Sequence, residues 1–280
     1  MPLMRWLQFI LSHSIFIAFC AIALCYQTYT LLHLGADYVL YAFVFFATLS
    51  SYNFYWLASK FHYRKQKTIS EFIKANLSYL GVFIVSAMAM VWLGFRLKYL
   101  FSWMLVSGIL TFLYSTPLWN KTASIIATKT GFFKTILLSF TWALVTVVFP
   151  GEELIQTGKM NVLILLFVAR FFLMLMLCLI FDMRDIKLDK MHALHSLATD
   201  VSRFWLQVIM ITAFAIYVVA GVIVRMIQGD NKQMIAHLII GLIVWVVYRL
   251  SLKKRGYIFY YFLVDGLMFI AAIGTFLATL

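Results

Sequence analysis

Residues 160–181 read MNVLILLFVARFFLMLMLCLIF, a predominantly apolar stretch of 22 residues with one charged side chain, Arg170. A helix of this length rises about 33 Å, which is enough to cross the ~30 Å hydrocarbon core of a bilayer. Strands of a membrane β-barrel are shorter and alternate apolar with polar residues, a pattern that this stretch lacks. The stretch therefore predicts a transmembrane α-helix.

The composition of the whole chain extends this prediction. Its 280 residues are 64% hydrophobic and only 12% charged, whereas a soluble domain carries about 25% charged residues. So few charges cannot cover a water-facing surface, which excludes a soluble enzyme, a secreted domain and a disordered chain. Apolar blocks of about 20 residues recur along the chain. We predict nine spans, with the approximate bounds Leu7–Leu32, Tyr38–Ala58, Ala75–Phe95, Tyr99–Leu118, Phe132–Phe149, Met160–Phe181, Phe204–Ile227, Met234–Leu252 and Tyr257–Leu280.

The loop charges predict the orientation of these spans. With the N-terminus inside, 17 of the 23 lysines and arginines lie on the cytoplasmic side and five on the other. Positive charges are retained on the cytoplasmic side of membranes, so we expect a cytoplasmic N-terminus and an external C-terminus. The net charge of +13 is then a feature of membrane topology, and no nucleic-acid partner is expected. The expected location is the bacterial inner (plasma) membrane.

Acidic side chains cluster where the sixth span ends, in residues 181–190, FDMRDIKLDK. At 100° per residue, Asp182, Asp185 and Asp189 fall within about 60° of one helix face. Carboxylates this close repel one another unless a cation lies among them. Mg²⁺ prefers oxygen ligands and commonly bridges one or two carboxylates to substrate phosphates.

Basic residues interleave with these acids, and several interpretations remain open. Arg184, Lys187 and Lys190 could bind phosphate oxygens beside a metal. The segment could equally be a solvated helix face of mixed charge, or a site for another cation. Arg170 is a separate case, because an intramembrane charge is expected to face a partner or the protein interior. Asp265, inside the last span, is a candidate counter-ion.

Two motifs resemble those of a known family. The pattern Asp182-x-x-Asp185-x-x-x-Asp189 resembles the second aspartate-rich motif of the UbiA superfamily of intramembrane prenyltransferases, which follows the sixth of nine helices. Residues 113–117, LYSTP, resemble the Tyr-Ser-x-Pro end of the fourth helix of that family. The motifs occur at matching places in the predicted topology.

The resemblance implies one UbiA-like transmembrane domain over residues 1–280, an all-α bundle of nine helices around a central cavity that opens to the cytoplasm. It implies a polyprenyl diphosphate or other isoprenoid lipid as partner, bound through Mg²⁺ and ionised for transfer to an acceptor. The expected metal ligands are Asp182, Asp185 and Asp189. The expected substrate-binding residues are Asn53, Arg64, Lys67, Tyr114, Lys121, Arg184 and Lys190.

The first aspartate-rich motif of the family is lost. In residues 51–61, SYNFYWLASKF, Asn53 matches the asparagine of the motif, but Phe54, Leu57 and Phe61 occupy its three aspartate positions. These side chains cannot ligate Mg²⁺. The sequence therefore supports two hypotheses: a divergent prenyl-group transferase, or a catalytically silent member that binds an isoprenoid lipid or serves as a membrane partner protein. An unrelated transporter is disfavoured, since no inverted repeat is visible.

Overall fold

The described part of the chain is entirely helical in its regular structure. The computed structural model describes residues 2–62, 68–115, 130–156, 158, 160–191 and 197–280. Its helices form two compact units. The first unit contains residues 1–22 and 37–117, and the second contains residues 23–36 and 118–280.

The first unit is built around the packing of its third helix against its fifth. A short 3₁₀ turn, Lys98–Leu100, leads into the sixth helix. The first half of the second helix belongs to this unit and the second half to the other. The helices are α1 (Pro2–Ser12), α2 (Ile15–Leu31), α3 (Tyr38–His62), α4 (Ile69–Ala75), α5 (Leu77–Gly94) and α6 (Phe101–Ser115).

A sharp break separates α1 from α2, where the sequence predicts one continuous span. The two helices meet at 66°, and Ser14 at the junction has a φ of 63°. This left-handed conformation is unfavourable for any residue with a Cβ atom and ends an α-helix. The expected span Leu7–Leu32 is therefore a bent helix pair.

The second unit surrounds one long helix. Two segments have the wider π-helical hydrogen bonding, Leu144–Val148 and Phe259–Val264. The central helix packs against its neighbours on several sides. In its most apolar stretch, 67% of the residues are buried. The helices are α7 (Thr130–Ala143), α8 (Glu152–Gln156), α9 (Met160–Met191), α10 (Leu197–Asp200), α11 (Arg203–Gln228), α12 (Asn231–Ser251) and α13 (Asp265–Thr279).

The turn between α11 and α12 is formed by a glycine and an aspartate. Gly229 adopts a φ of 69°, which a glycine accepts without strain, and ends α11. Asp230 caps the next helix by accepting a 2.9 Å hydrogen bond from the backbone N–H of Gln233. The seventh predicted span, Phe204–Ile227, ends within one residue of α11.

Length and composition identify a multi-pass helical membrane protein. Within the described residues, five helices are long and apolar enough to cross a membrane, or six if the bent α1–α2 pair is one span. Three other predicted spans correspond to helices that are not among these five. Helices α6 and α7 have 15 and 14 residues, and α3 carries several polar side chains in its second half. The five helices are Leu77–Gly94, Met160–Ile186, Arg203–Gln228, Asn231–Ser251 and Phe259–Thr279.

Candidate functional site

The last turns of α9 carry the acidic segment singled out from the sequence. The helix continues ten residues beyond the predicted end of the span at Phe181, to Met191. Asp182 and Asp185 lie three residues apart on this helix, so that their side chains share one face. Both are half-buried.

Asp182 is held by a neighbouring helix. The hydroxyl of Thr135, a buried residue of α7, donates a 2.7 Å hydrogen bond to Oδ2 of Asp182. Thr135 lies one turn from the start of α7, and nothing in its sequence context distinguishes it from other helical threonines. The contact orients the carboxylate and connects the end of α9 to α7.

Asp185 forms an ion pair with the residue beside it. Arg184 donates from Nε to Oδ1 at 2.7 Å and from Nη2 to Oδ2 at 2.6 Å, so both carboxylate oxygens are engaged. The side chains are 22% and 31% exposed. This two-bond arrangement is the strongest geometry that an arginine and a carboxylate can form.

Three aromatic rings surround the Arg184 guanidinium. Its central carbon lies 5.0 Å from the ring centroid of Phe181, 5.1 Å from that of Tyr260 and 4.8 Å from that of Tyr261. We call these three rings the aromatic cage. The two tyrosines belong to the π-helical segment before α13, so the cage joins the end of α9 to the last helix. Cation–π contacts of this kind stabilise and orient the cation.

A further acid, Asp265, belongs to the last helix. It is the first residue of α13, and it is buried. Asp265 therefore belongs to the same unit as Asp182, Asp185 and Arg184. The hydrogen bonds of Arg170 go to α2 instead, so Asp265 is not its hydrogen-bonded counter-ion.

In the first unit, Asn53 has a structural role. Its side-chain amide donates to the carbonyl oxygens of His13 at 3.0 Å and Leu49 at 2.8 Å, and the residue is 1% exposed. The His13 carbonyl lies at the break between α1 and α2, where regular helical bonding stops. Asn53 therefore supplies a donor that the broken helix lacks.

An aromatic stack follows Asn53 along α3. The ring of Trp56 lies 3.9 Å from that of Tyr79, which lies 4.2 Å from that of His13. The Lys60 ammonium lies 3.3 Å from the Trp56 ring centroid and donates to Oδ1 of Asn76 at 3.3 Å. Burial lowers the pKa of Lys60 below its usual value. The spacing of Trp56 and Lys60 by four residues is the signal in the sequence from which this contact could have been expected.

The remaining predicted site residues divide between the two units. The structure brings Asp182, Arg184 and Asp185 together in the second unit, whereas Asn53 and Tyr114 belong to the first. Tyr114 lies in the last turn of α6 and is half-buried. Asp189 and Lys190 belong to α9, but their side chains lie outside the described residues. Arg64, Lys67 and Lys121 also lie outside them.

The donors at the end of α9 are compatible with Mg²⁺ in type and number. Mg²⁺ usually takes one or two carboxylates from a protein and completes its shell with water and phosphate oxygens. Asp182 and Asp185 supply two carboxylates, although Arg184 competes for the second. Among the described residues, no group of three or more His, Cys, Asp or Glu side chains is arranged to hold a metal ion.

These features define the class of the protein: a multi-pass helical membrane protein with a charged cluster at the end of its central helix. In comparisons with known proteins, the chain matches no protein-family model, no curated protein and no solved structure.

Proposed function

We propose that the protein is a divergent prenyl-group transferase that acts on an isoprenoid diphosphate with Mg²⁺, at the cytoplasmic side of a bacterial inner membrane. The observation that carries the proposal is the cluster of Asp182, Arg184 and Asp185 at the end of α9. Carboxylates and an oriented arginine are the groups that bind a metal and a diphosphate together. The proposal includes nine spans around a cavity open to the cytoplasm.

Each group at the helix end has a role in this reaction. The bond between the allylic carbon and the diphosphate oxygen breaks, and a new bond forms from that carbon to an acceptor. Bound Mg²⁺ would neutralise charge on the departing diphosphate. Asp182 and Asp185 would hold the metal, and Arg184 would donate to phosphate oxygens from a fixed position. Apolar helices provide an environment for the isoprenoid chain.

A second candidate function is binding without turnover. Phe54 and Phe61, which replace two of the acids of the first motif, are exposed, and Leu57 is buried. None can ligate a metal. A protein with this loss would retain an isoprenoid lipid, or serve as a membrane partner protein, without ionising a diphosphate.

Turnover and binding separate the two candidates. Purified protein in nanodiscs is mixed with geranyl, farnesyl or geranylgeranyl diphosphate, with and without Mg²⁺, and the release of inorganic diphosphate is followed beside binding. A transferase releases diphosphate with Mg²⁺, water capturing the allylic carbon and losing a proton where no other acceptor is present, and Asp182→Asn abolishes the release. Asp200→Asn is the control, since this exposed acid lies outside the cluster. Binding without release would support the second candidate, and no binding of any diphosphate would refute the transferase.

The proposed orientation has its own test. A reporter fused after Leu280 is expected outside the cell, and one inserted at Lys65 is expected inside. Opposite results at both positions would overturn the orientation inferred from the loop charges.

A further inference from the structure

Arg225, near the end of α11, is a buried cation without an acidic partner. The residue is 3% exposed. Its Nη1 donates to the Gly221 carbonyl at 3.1 Å within the same helix, whereas no described residue accepts a hydrogen bond from its Nε. Among the described residues, no acid forms an ion pair with it, and Asp230 caps α12 instead. A buried charge in this state is strongly unfavourable, so an anion bound beside it would stabilise the fold.

The packing of α11 against α12 has a regular register. Contacts recur one helical turn apart on each helix, towards the end of α11 and towards the start of α12. The observed contacts are those of Tyr217 with Gly241 and of Gly221 with His237. One further turn in each direction brings Arg225 beside Gln233.

Gln233 adds an unpaired acceptor to this position. The residue is 4% exposed, and its Nε2 donates to the Thr275 carbonyl of α13 at 2.8 Å. That bond orients the amide. The Oε1 atom of Gln233 is buried, and no described residue donates a hydrogen bond to it. The register therefore brings together an unpaired donor on a cation and an unpaired acceptor on an amide.

Both residues lie near a membrane surface. Helices α11 and α12 are each long and apolar enough to cross a membrane, so the turn that joins them lies at a surface. Arg225 precedes Gly229 of that turn by four residues, a rise of about 6 Å. An arginine side chain can extend over such a depth towards the lipid phosphates. Gly229 is exposed and has open space around it among the described residues, so the turn leaves the approach uncovered.

We infer that Arg225 and Gln233 bind the headgroup of a phospholipid that carries a hydroxyl beside an anionic phosphate. Arg225 donates to a phosphate oxygen, which supplies its missing counter-ion. The lipid hydroxyl donates to Oε1 of Gln233. Phosphatidylglycerol has both groups. With the proposed orientation of the chain, this lipid belongs to the outer leaflet, and its binding does not depend on the proposed enzyme activity.

Exposed apolar side chains beside the site favour a lipid over a soluble anion. Ile223, Met226 and Ile227 are 39%, 68% and 58% exposed on the same part of α11. In a bilayer these side chains contact acyl chains, so a lipid held at Arg225 gains contacts that a free phosphate lacks. Basic pockets between transmembrane helices bind anionic headgroups in this way.

The test measures the unfolding midpoint of the full-length, delipidated protein in micelles of a neutral detergent. Phosphatidylglycerol, phosphatidylcholine or inorganic phosphate is titrated into separate samples. A ligand that binds only the folded state raises the midpoint as its concentration rises. We expect phosphatidylglycerol to bind at least about tenfold more tightly than phosphatidylcholine, which has no donor for Gln233 and carries a cation of its own.

Substitutions assign the response to the two residues. Arg225→Met is expected to abolish the response to phosphatidylglycerol, and without lipid its midpoint is expected to equal or exceed that of wild type, since the unpaired charge is gone. Arg225→Gln repeats the test with a polar side chain, so that a folding defect of one variant does not decide the result. Gln233→Leu is expected to bind the two lipids alike. Arg249→Met, at an exposed position in the last turn of α12, is the matched control and is expected to keep the wild-type response.

Several results would overturn the inference. One is an absent or equal response of wild type to the two lipids, and another is a response to phosphatidylglycerol that persists in both Arg225 variants. An equal shift with inorganic phosphate would identify a free anion in place of a lipid, and a lost response in Arg249→Met would assign the binding to general surface charge. The midpoint of each variant without lipid separates a loss of binding from a loss of folding. None of these results affects the release of diphosphate that tests the proposed function.

Discussion

Arg170 Nη2 donates a 2.7 Å hydrogen bond to the side-chain oxygen of Gln27, and both residues are buried in the second unit. The Gln27 amide in turn donates to the carbonyl of Ala271 at 2.9 Å and the hydroxyl of Thr275 at 3.0 Å. Arg170 also donates to Thr28 at 3.4 Å and to a backbone carbonyl of α2. One glutamine therefore joins α2, α9 and α13, and the acceptors of this buried arginine are neutral.

The first prediction concerns the loss of that glutamine. Gln27→Leu keeps most of the side-chain volume but removes an acceptor of a buried cation, so we expect a destabilisation of about 1–3 kcal/mol. Unfolding in mixed detergent micelles measures the change. Gln207→Leu, the same substitution at an exposed position of α11, is expected to leave the stability unchanged or raise it. Equal effects of the two substitutions would show that the hydrogen bonds of Gln27 contribute nothing.

The second prediction combines two changes. A buried charge without a partner is worse than an apolar side chain in its place. Arg170→Met introduced into the Gln27→Leu protein is therefore expected to restore part of the lost stability. A double-mutant cycle, measured in the same micelles, gives the interaction energy between the two residues. We expect the double variant to be more stable than the sum of the two single effects predicts. Simple addition of the two single effects would mean that the residues do not interact.

The third prediction concerns the helix break in the first unit. Ser14 has a φ of 63°, where glycine is favoured, so Ser14→Gly is expected to raise the stability by up to about 1 kcal/mol. Ser51→Gly, within regular α3, is the matched control and is expected to lower it by about 0.5–1 kcal/mol. The midpoints of unfolding of the two variants should move in opposite directions. A lowered midpoint for Ser14→Gly would contradict the account of the break.

The fourth prediction concerns the contact between α11 and α12. A methyl group at Gly221 would clash with the ring of His237, which is buried and whose Nε2 lies 3.2 Å from the Tyr217 carbonyl. Gly221→Ala is expected to destabilise by about 1–3 kcal/mol. Gly108→Ala, within α6 and with open space around it, is expected to stabilise by about 0.5–1 kcal/mol. The comparison is read from unfolding curves of both proteins, and a stabilised Gly221→Ala would show that the ring can move aside.

The patterns of hydropathy and turn residues were sufficient to predict the main helices. Gly229 ends α11 and Asp230 caps α12 through effects that are local and act within one turn. The inward position of Arg170 also followed from the sequence, since a charge is too unfavourable to face lipid. These features depend only on residues that are neighbours in the sequence or on the surrounding lipid.

Features that depend on distant neighbours could not be predicted in this way. Ser14 breaks a helix without a glycine or proline, and the donor that supports the break, Asn53, lies 39 residues away in the chain. The Thr135 hydroxyl donates a hydrogen bond to Asp182, which lies 47 residues away in the chain. A single sequence carries no record of such pairings, and the cage around Arg184 likewise needs residues from the last helix.

The π-helical segment Phe259–Val264 determines how the following helix, α13, is rotated about its axis. A π-turn holds one residue more than an α-turn and is equivalent to a single insertion in a regular helix. Deleting one residue there would turn α13 by about 100° about its axis. Ala271 and Thr275 would then no longer face Gln27. In an alignment with sequences that lack the extra residue, the segment would appear as a one-residue insertion. Sequences with and without this residue would differ in the rotation of the last helix about its axis.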